Sequence, residues 1–252
     1  MAGVWRRLAG AAAVGLAVAV TAVGQEAGNP AAKPVPRPEA KGWQKRHESF
    51  VERSKRGDVD VLFVGDSITQ GWEGAGKQVW AERFKGWKPA NLGIGGDRTQ
   101  HVLWRITEGK ELEGIDPKVI VLMIGTNNFG SDTPEQIAEG VARIVEEFRK
   151  REPQAKLLLL GVFPRSGKRA GDATEVPAAD LHAKTKPVNE RLAKLADGKN
   201  VVYLDIGEKF LTPTGGLSKE VMPDFLHLSA KGYGIWADAI TPTVEKLLKS
   251  GG

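Results

Sequence analysis

Five short apolar runs, at residues 59–64, 90–94, 119–124, 157–163 and 201–204, are separated by stretches that carry helical signals. Runs of this length without polar alternation are buried on both faces, as strands inside a parallel sheet are. Helices are therefore expected between them. The clearest starts at Thr133, with Pro134 at the first helical position and Gln136 completing a capping box. Ile137, Val141, Ile144, Val145 and Phe148 then fall on one stripe. Arg149, Lys150 and Arg151 oppose the negative end of the helix dipole, and Pro153 ends the pattern. Further helices are predicted over 78–84, 99–106, 187–195 and 233–248, the last with a bend at Pro242. This alternation predicts an α/β fold: a three-layer α/β/α sandwich around a central parallel sheet, with its active face at the carboxyl ends of the strands.

A chain of 252 residues with 41% hydrophobic content can bury a full core, and one domain plus a tail is the natural organisation. It contains no cysteine, which excludes disulfides, a thiol nucleophile and thiolate metal sites. The formal charge of +5 comes from basic and acidic residues interspersed along the chain, and Arg6 and Arg7 supply two of the excess charges. A nucleic-acid partner calls for a concentrated basic face, so none is expected.

Arg6 and Arg7 precede an Ala/Val/Leu run over residues 8–23, and Ala22-Val23-Gly24 offers small residues where a signal peptidase cuts. Residues 1–24 are thus read as a signal peptide, and the protein as exported to a periplasmic or extracellular space. The run is short for a membrane span, which makes an uncleaved membrane tether the second reading. Pro30, Pro34, Pro36 and Pro38 mark residues 25–42 as a linker, expected to be a disordered tether, and the folded domain is set at 43–249.

Chemistry is concentrated where strands end. The first run leads into Gly65-Asp66-Ser67, which places a hydroxyl at a strand-to-helix turn with outward backbone N–H groups. Taken alone, the tripeptide is also an ordinary turn and helix cap, and Asp66 is read as structural. Gly93-Ile94-Gly95-Gly96-Asp97 follows the second run, where glycine lets the backbone approach a substrate. Its spacing is not that of a dinucleotide fingerprint, and Asp97 or Thr99 is a candidate cap for the next helix. Gly125-Thr126-Asn127-Asn128 follows the third run, and an Asn amide there can donate to an oxyanion, although Asn is equally a turn residue.

Asp224 and His227 stand three residues apart, close enough for a carboxylate to orient an imidazole. Of the four histidines, His47 lies in a charged segment, His101 in a helix pattern that suits capping or packing, and His182 in a polar loop. No histidine pair has ligand spacing and none joins an acidic cluster, so no metal is expected, and acyl transfer by a serine requires no cofactor. A serine, a glycine, an asparagine and an Asp/His pair, all following strands in chain order, together favour nucleophilic acyl transfer over coincidence.

The segments VLFVGDSITQGW, NLGIGGDRTQHVLWR, IVLMIGTNN and MPDFLHLSAKGY resemble, in order, the four blocks of the GDSL or SGNH hydrolases. Within that superfamily GIGGDRTQHVLWR and DFLHLS are most similar to the catalytic subunits of platelet-activating-factor acetylhydrolase and their bacterial relatives, and the resemblance spans residues 43–248. It implies a flavodoxin-like fold, Ser67 as nucleophile, Asp224 and His227 as acid and base, and Ser67, Gly96 and Asn127 as the oxyanion hole. It also displaces an α/β-hydrolase reading, because Ser67 lacks the G-x-S-x-G elbow. Residues 165–186 look longer than in those subunits and are expected to line or cover the acyl pocket.

The function expected is a serine esterase acting on short-chain, acetyl-type esters of carbohydrates or small molecules. A phospholipid deacetylase comes second. A non-catalytic glycan-binding protein on the same scaffold is a third reading, set against the joint presence of all the chemical positions. A flavin- or nucleotide-binding protein would need a phosphate loop that ITQGWEGAGK does not form. Trp80 and Trp104 are read as core and Trp72 as a pocket residue. A homodimer stays open, since isologous contacts leave no signature in a single sequence.

Overall fold

The structure is a computed structural model that describes Met1, residues 28–167 and residues 172–250. Beyond Met1, the segment read as a signal peptide lies outside the described residues.

Strand β1 (Val61–Gly65) is buried along its whole length. It pairs in parallel with β2 (Pro89–Gly93) on one side and β3 (Val119–Met123) on the other. Strand β4 (Lys156–Leu160) extends the sheet from β3. A two-residue strand β5 (Glu175–Val176) lies outside it, and β6 (Val201–Leu204) completes it beside β4. The order β2-β1-β3-β4-β6 is that of a flavodoxin-like doubly wound sheet. The short β7 (Leu217–Ser218) pairs antiparallel with β5.

The period of two along each strand sorts side chains into two cores. Leu62, Val64, Ile120, Leu122, Leu157 and Leu159 face one layer, built from α1 (Trp43–Lys55), α4 (Thr99–Ile106), α5 (Pro134–Arg151) and α6 (Thr185–Leu192). Val61, Phe63, Val119, Val121, Leu158 and Leu160 face the other, built from α2 (Ser67–Gln70), α3 (Lys77–Arg83) and α7 (Ala230–Ser250). The predicted three-layer sandwich is the one observed. The capping box of α5 forms as read, with the Thr133 side chain accepting from Gln136 N and the Gln136 side chain accepting from Thr133 N.

Helix α7 runs as one element through Pro242. Pro242 lies on its exposed side, where the carbonyl that loses its partner can be met by water. Residues 28–42 are not a loose tether. Ala31 is buried, Thr99 Oγ1 donates to Ala31 O at 2.7 Å, Val35 N donates to Gln100 O at 3.2 Å, and Asn29 Nδ2 donates to Gln136 O at 2.9 Å. The prolines stiffen a strap that lies across the N-terminal ends of α4 and α5. Trp72 is 1% exposed and packs on Phe63, Tyr233 and Trp236, so it belongs to the core rather than to a pocket.

Among the described residues, no helix is long and apolar enough to cross a membrane.

Candidate active site

Because β1 lies between β2 and β3, the three loops that leave their carboxyl ends are neighbours. They carry Ser67, Gly96 and Asn127. The chain turns from β1 outward to β2 and then returns to β3 on the opposite side, which opens a crevice at the end of β1.

Ser67 opens α2 directly after β1. Asp66 is the cap, with its Oδ1 accepting from Ile68 N at 2.9 Å. Asp66 is fully buried, and that burial pushes its carboxyl up to about 7. The structural role read for it thus has a clear basis: its oxygen holds the helix start and leaves the Ser67 side chain to face outward. β2 can end against this turn only because residue 93 is glycine; a Cβ there would lie 2.2 Å from Gln70 N.

His227 and Asp224 come from the loop before α7, and α7 is tied to the nucleophile turn by Tyr233 Oη, which donates to Ile68 O at 2.6 Å. Ser67 Oγ lies 2.9 Å from His227 Nε2, and His227 Nδ1 lies 2.7 Å from Asp224 Oδ2. The other carboxylate oxygen, Oδ1, accepts from Leu226 N at 3.1 Å and from His227 N at 2.7 Å. Burial alone would raise the Asp224 carboxyl, but these hydrogen bonds and the neighbouring imidazole outweigh it and hold the group below its ordinary value. Both side chains remain open to solvent, 52% for Asp224 and 43% for His227.

Gly96 adopts φ +77°, a left-handed turn that glycine takes without a Cβ penalty. Asn127 Nδ2 donates to Asp97 O at 2.9 Å. That bond uses one amide hydrogen and aims the amide at the Gly96 turn, leaving the second hydrogen for a ligand. Neither Asp97 nor Thr99 caps α4 as the sequence suggested. The N-cap is Arg98, and His101 Nδ1 accepts from Arg98 N at 3.0 Å, the capping role open to that histidine. Asn128 Oδ1 accepts from Thr99 N at 3.1 Å and so joins the Asn127 turn to the start of α4.

Asp97 instead enters a buried charged chain that the sequence did not disclose. Its Oδ1 accepts from Trp43 Nε1 at 2.8 Å and its Oδ2 pairs with Arg105 Nε at 2.9 Å. Arg105 Nη1 donates to Leu92 O at 2.9 Å and to Glu111 Oε2 at 2.6 Å, and Glu111 Oε1 lies 2.7 Å from His47 Nδ1. Arg105 and Glu111 are fully buried, so removal of either would leave the other's buried charge short of one partner. The chain anchors the Gly96 turn to α1 and α4 from below.

Arg165, beyond the end of β4, donates through Nη1 to Thr126 O at 3.3 Å and to Thr126 Oγ1 at 3.2 Å, bracing the residue before Asn127. Burial lowers this guanidinium, and the charges of Asp66 and Asp224 oppose that shift. Only part of the 165–186 stretch is described. Ser166 N donates to Phe225 O at 3.0 Å, which clips the stretch to the Asp224 loop. Leu181, His182 and Thr185 line a cavity of about 580 Å³ with Tyr203, Asp205 and Leu211. The walls of that cavity do not include Ser67 or His227. Among the described residues, no group of three or more His, Asp or Glu side chains is placed to hold a metal ion.

The model of the GDSL-like Lipase/Acylhydrolase family matches residues 63–235. Human platelet-activating factor acetylhydrolase IB subunit alpha1 is 40% identical over 224 residues, covering 87% of this chain and 91% of that protein. Among solved structures, a GDSL-like lipase from Bacteroides thetaiotaomicron superposes with a TM-score of 0.58 at 20% identity, covering 80% of this chain and 97% of that one. A carbohydrate acetylesterase from Sinorhizobium meliloti superposes with a TM-score of 0.57 at 20% identity, covering 75% of this chain and 99% of that one. These structural likenesses speak to the fold, while the family match and the relative speak to descent. The chain thus belongs to the GDSL-like lipase/acylhydrolase family and is a carboxylic ester hydrolase.

Proposed function

We propose that this protein hydrolyses short-chain esters, acetyl esters above all, through a Ser67 acyl-enzyme. The observation that carries the reading is the continuous chain from Ser67 Oγ to His227 Nε2 at 2.9 Å and from His227 Nδ1 to Asp224 Oδ2 at 2.7 Å. As Ser67 Oγ attacks the ester carbonyl carbon, its proton passes to His227 Nε2, and Asp224 stabilises the imidazolium. The carbonyl oxygen becomes an oxyanion, held by the N–H groups of Ser67 and Gly96 and by the second Asn127 amide hydrogen. Collapse breaks the ester C–O bond, and His227 returns the proton to the leaving alcohol. Water then attacks the acyl-enzyme, with His227 again as base, and releases the carboxylic acid.

Two observations bear on substrate class. The curated relatives are named acetylhydrolases, which supports a small acyl group. The half-exposed Asp224 and His227 leave room for a bulky alcohol, which supports acetylated carbohydrate or small-molecule esters. A platelet-activating-factor type of phospholipid is the second reading, favoured by the 40% identity to subunits that carry that name. Export, read from Arg6, Arg7 and the apolar run after them, is part of the first reading, since acetylated polysaccharide lies outside the cell.

A panel of p-nitrophenyl esters from acetyl upward, followed by acetylated xylan and a 2-acetyl phospholipid, separates the two. The expected result is a rate that falls with acyl length and acetate release from xylan. Release confined to the phospholipid would reverse the order. Asn127→Ala should lower kcat by about 10² to 10³, the usual loss for one oxyanion donor. Unchanged turnover in the folded variant would remove Asn127 from that role.

A further inference from the structure

The strap before α1 reaches the back of the Gly96 turn through one side chain. Arg37 Nη1 donates to Gly95 O at 2.9 Å and lies 3.4 Å from Asp97 Oδ1. The guanidinium covers Gly96 so closely that a Cβ there would lie 2.8 Å from Nη2 and 2.9 Å from Nη1. The carbonyl it holds and the Gly96 N–H belong to one trans peptide plane. In such a plane the C=O and N–H point in opposite directions, and rotating one rotates the other. A donor fixed on Gly95 O therefore fixes the direction of the Gly96 N–H. It also polarises that N–H toward the far side of the plane, where the oxyanion would form.

The neighbouring peptide planes have other holders. Gly95 N donates to Gln70 Oε1 at 2.7 Å, and Asp97 N donates to Ile94 O at 3.2 Å. Among the described residues the plane between Gly95 and Gly96 is left to Arg37, and it precedes a glycine, the residue with the widest backbone freedom. Arg37 is itself presented stiffly. Pro36 and Pro38 flank it, and a residue before proline is confined to extended backbone. The strap is pinned further back by Asn29 on α5 and by the Ala31 and Val35 backbone on α4.

We infer that Arg37 is a positioning residue for ester hydrolysis, orienting the Gly96 N–H from behind, so that the segment ahead of the family-matched region completes the oxyanion hole. The inference rests on the reading of Ser67, Gly96 and Asn127 given above.

Steady-state kinetics with p-nitrophenyl acetate test it on the full chain. Arg37→Ala should lower kcat about 10-fold or more while KM stays within about twofold, because the contact acts on a group used in the transition state. Arg37→Lys should recover part of the loss, since a point donor can reach Gly95 O without the planar fork. Millimolar guanidinium should restore activity to Arg37→Ala and leave the parent enzyme unchanged. Asn29→Ala loosens the strap further back while leaving the Gly95 contact in place, and it should lower kcat clearly less than Arg37→Ala does.

A parental kcat in Arg37→Ala, or a change confined to KM, overturns the inference. So does an equal loss in Asn29→Ala, which would mean that strap docking rather than the Gly95 contact sets the rate. If Ser67→Ala and Asn127→Ala keep full activity, the site reading itself has failed. If those two lose activity and Arg37→Ala does not, only the role of Arg37 falls.

Discussion

Ser67→Ala should leave a folded protein whose kcat on p-nitrophenyl acetate is lower by roughly 10⁵- to 10⁶-fold, the loss seen when a hydrolase nucleophile is removed from an otherwise intact site. The fold has little reason to notice. Helix α2 is capped by Asp66 rather than by Ser67, and the serine hydroxyl meets His227 at a half-buried surface position. A change of this kind outside the core normally moves stability by less than about 0.5 kcal/mol. The same variant should lose covalent labelling by a fluorophosphonate, which reads the nucleophile without reference to any natural substrate. Labelling that survives in Ser67→Ala would place the nucleophile elsewhere and dismantle the scheme built on this residue.

The parts of this architecture that were legible in the sequence are those set by local periodicity and by residues that follow strands. The apolar runs name the strands because a doubly covered sheet tolerates no polar alternation, and Thr133 with Gln136 marks the α5 start because a capping box is a four-residue event. Ser67, Asn127 and the glycine loop could be singled out because they follow apolar runs, Asp224 and His227 because they stand three residues apart, and Gly96 within its loop through the resemblance to the GDSL blocks. The structure brings Ser67, His227 and Asp224 into one hydrogen-bonded chain and sets the Asn127 amide on the Gly96 turn.

What escaped was set by tertiary placement. Arg105 resembles a solvated helix residue until the sheet is assembled, yet one signal was present. At about 100° per residue it stands roughly 60° from Val102, on the rim of the arc that Val102, Leu103 and Ile106 bury. Glu111 gives no local hint, because only the fold carries it to Arg105 and His47. Arg37 was hidden by its company: a proline-rich stretch reads as a tether, although the same prolines can stiffen a strap once partners such as Thr99 and Gln100 exist. Trp72 misled because nearness to the nucleophile along the chain is not nearness in space, and its indole lies under α7.

Asp224→Asn is the sharper test of how the base is prepared. In the parent, Asp224 Oδ2 accepts the proton on His227 Nδ1, which leaves the Nε2 lone pair directed at Ser67 Oγ. The two backbone N–H groups of Leu226 and His227 require an acceptor at the position of Oδ1. In the asparagine variant the amide oxygen is therefore held at that position, and the amide nitrogen must take the place of Oδ2. An NH₂ group facing Nδ1 donates to it, so the ring proton moves to Nε2, where it blocks removal of the serine proton. The shape of the site survives while the tautomer is wrong, and kcat should fall by about 10³ to 10⁴ with KM little changed. Because the parent carboxyl sits below its ordinary value, it stays ionised between about pH 5 and 9, and the defect should persist across that whole range. A pH series of kcat on p-nitrophenyl acetate reads both statements at once. A variant within tenfold of the parent would show that Asp224 does not orient His227, and the acid would then have to be sought among other carboxylates near the imidazole.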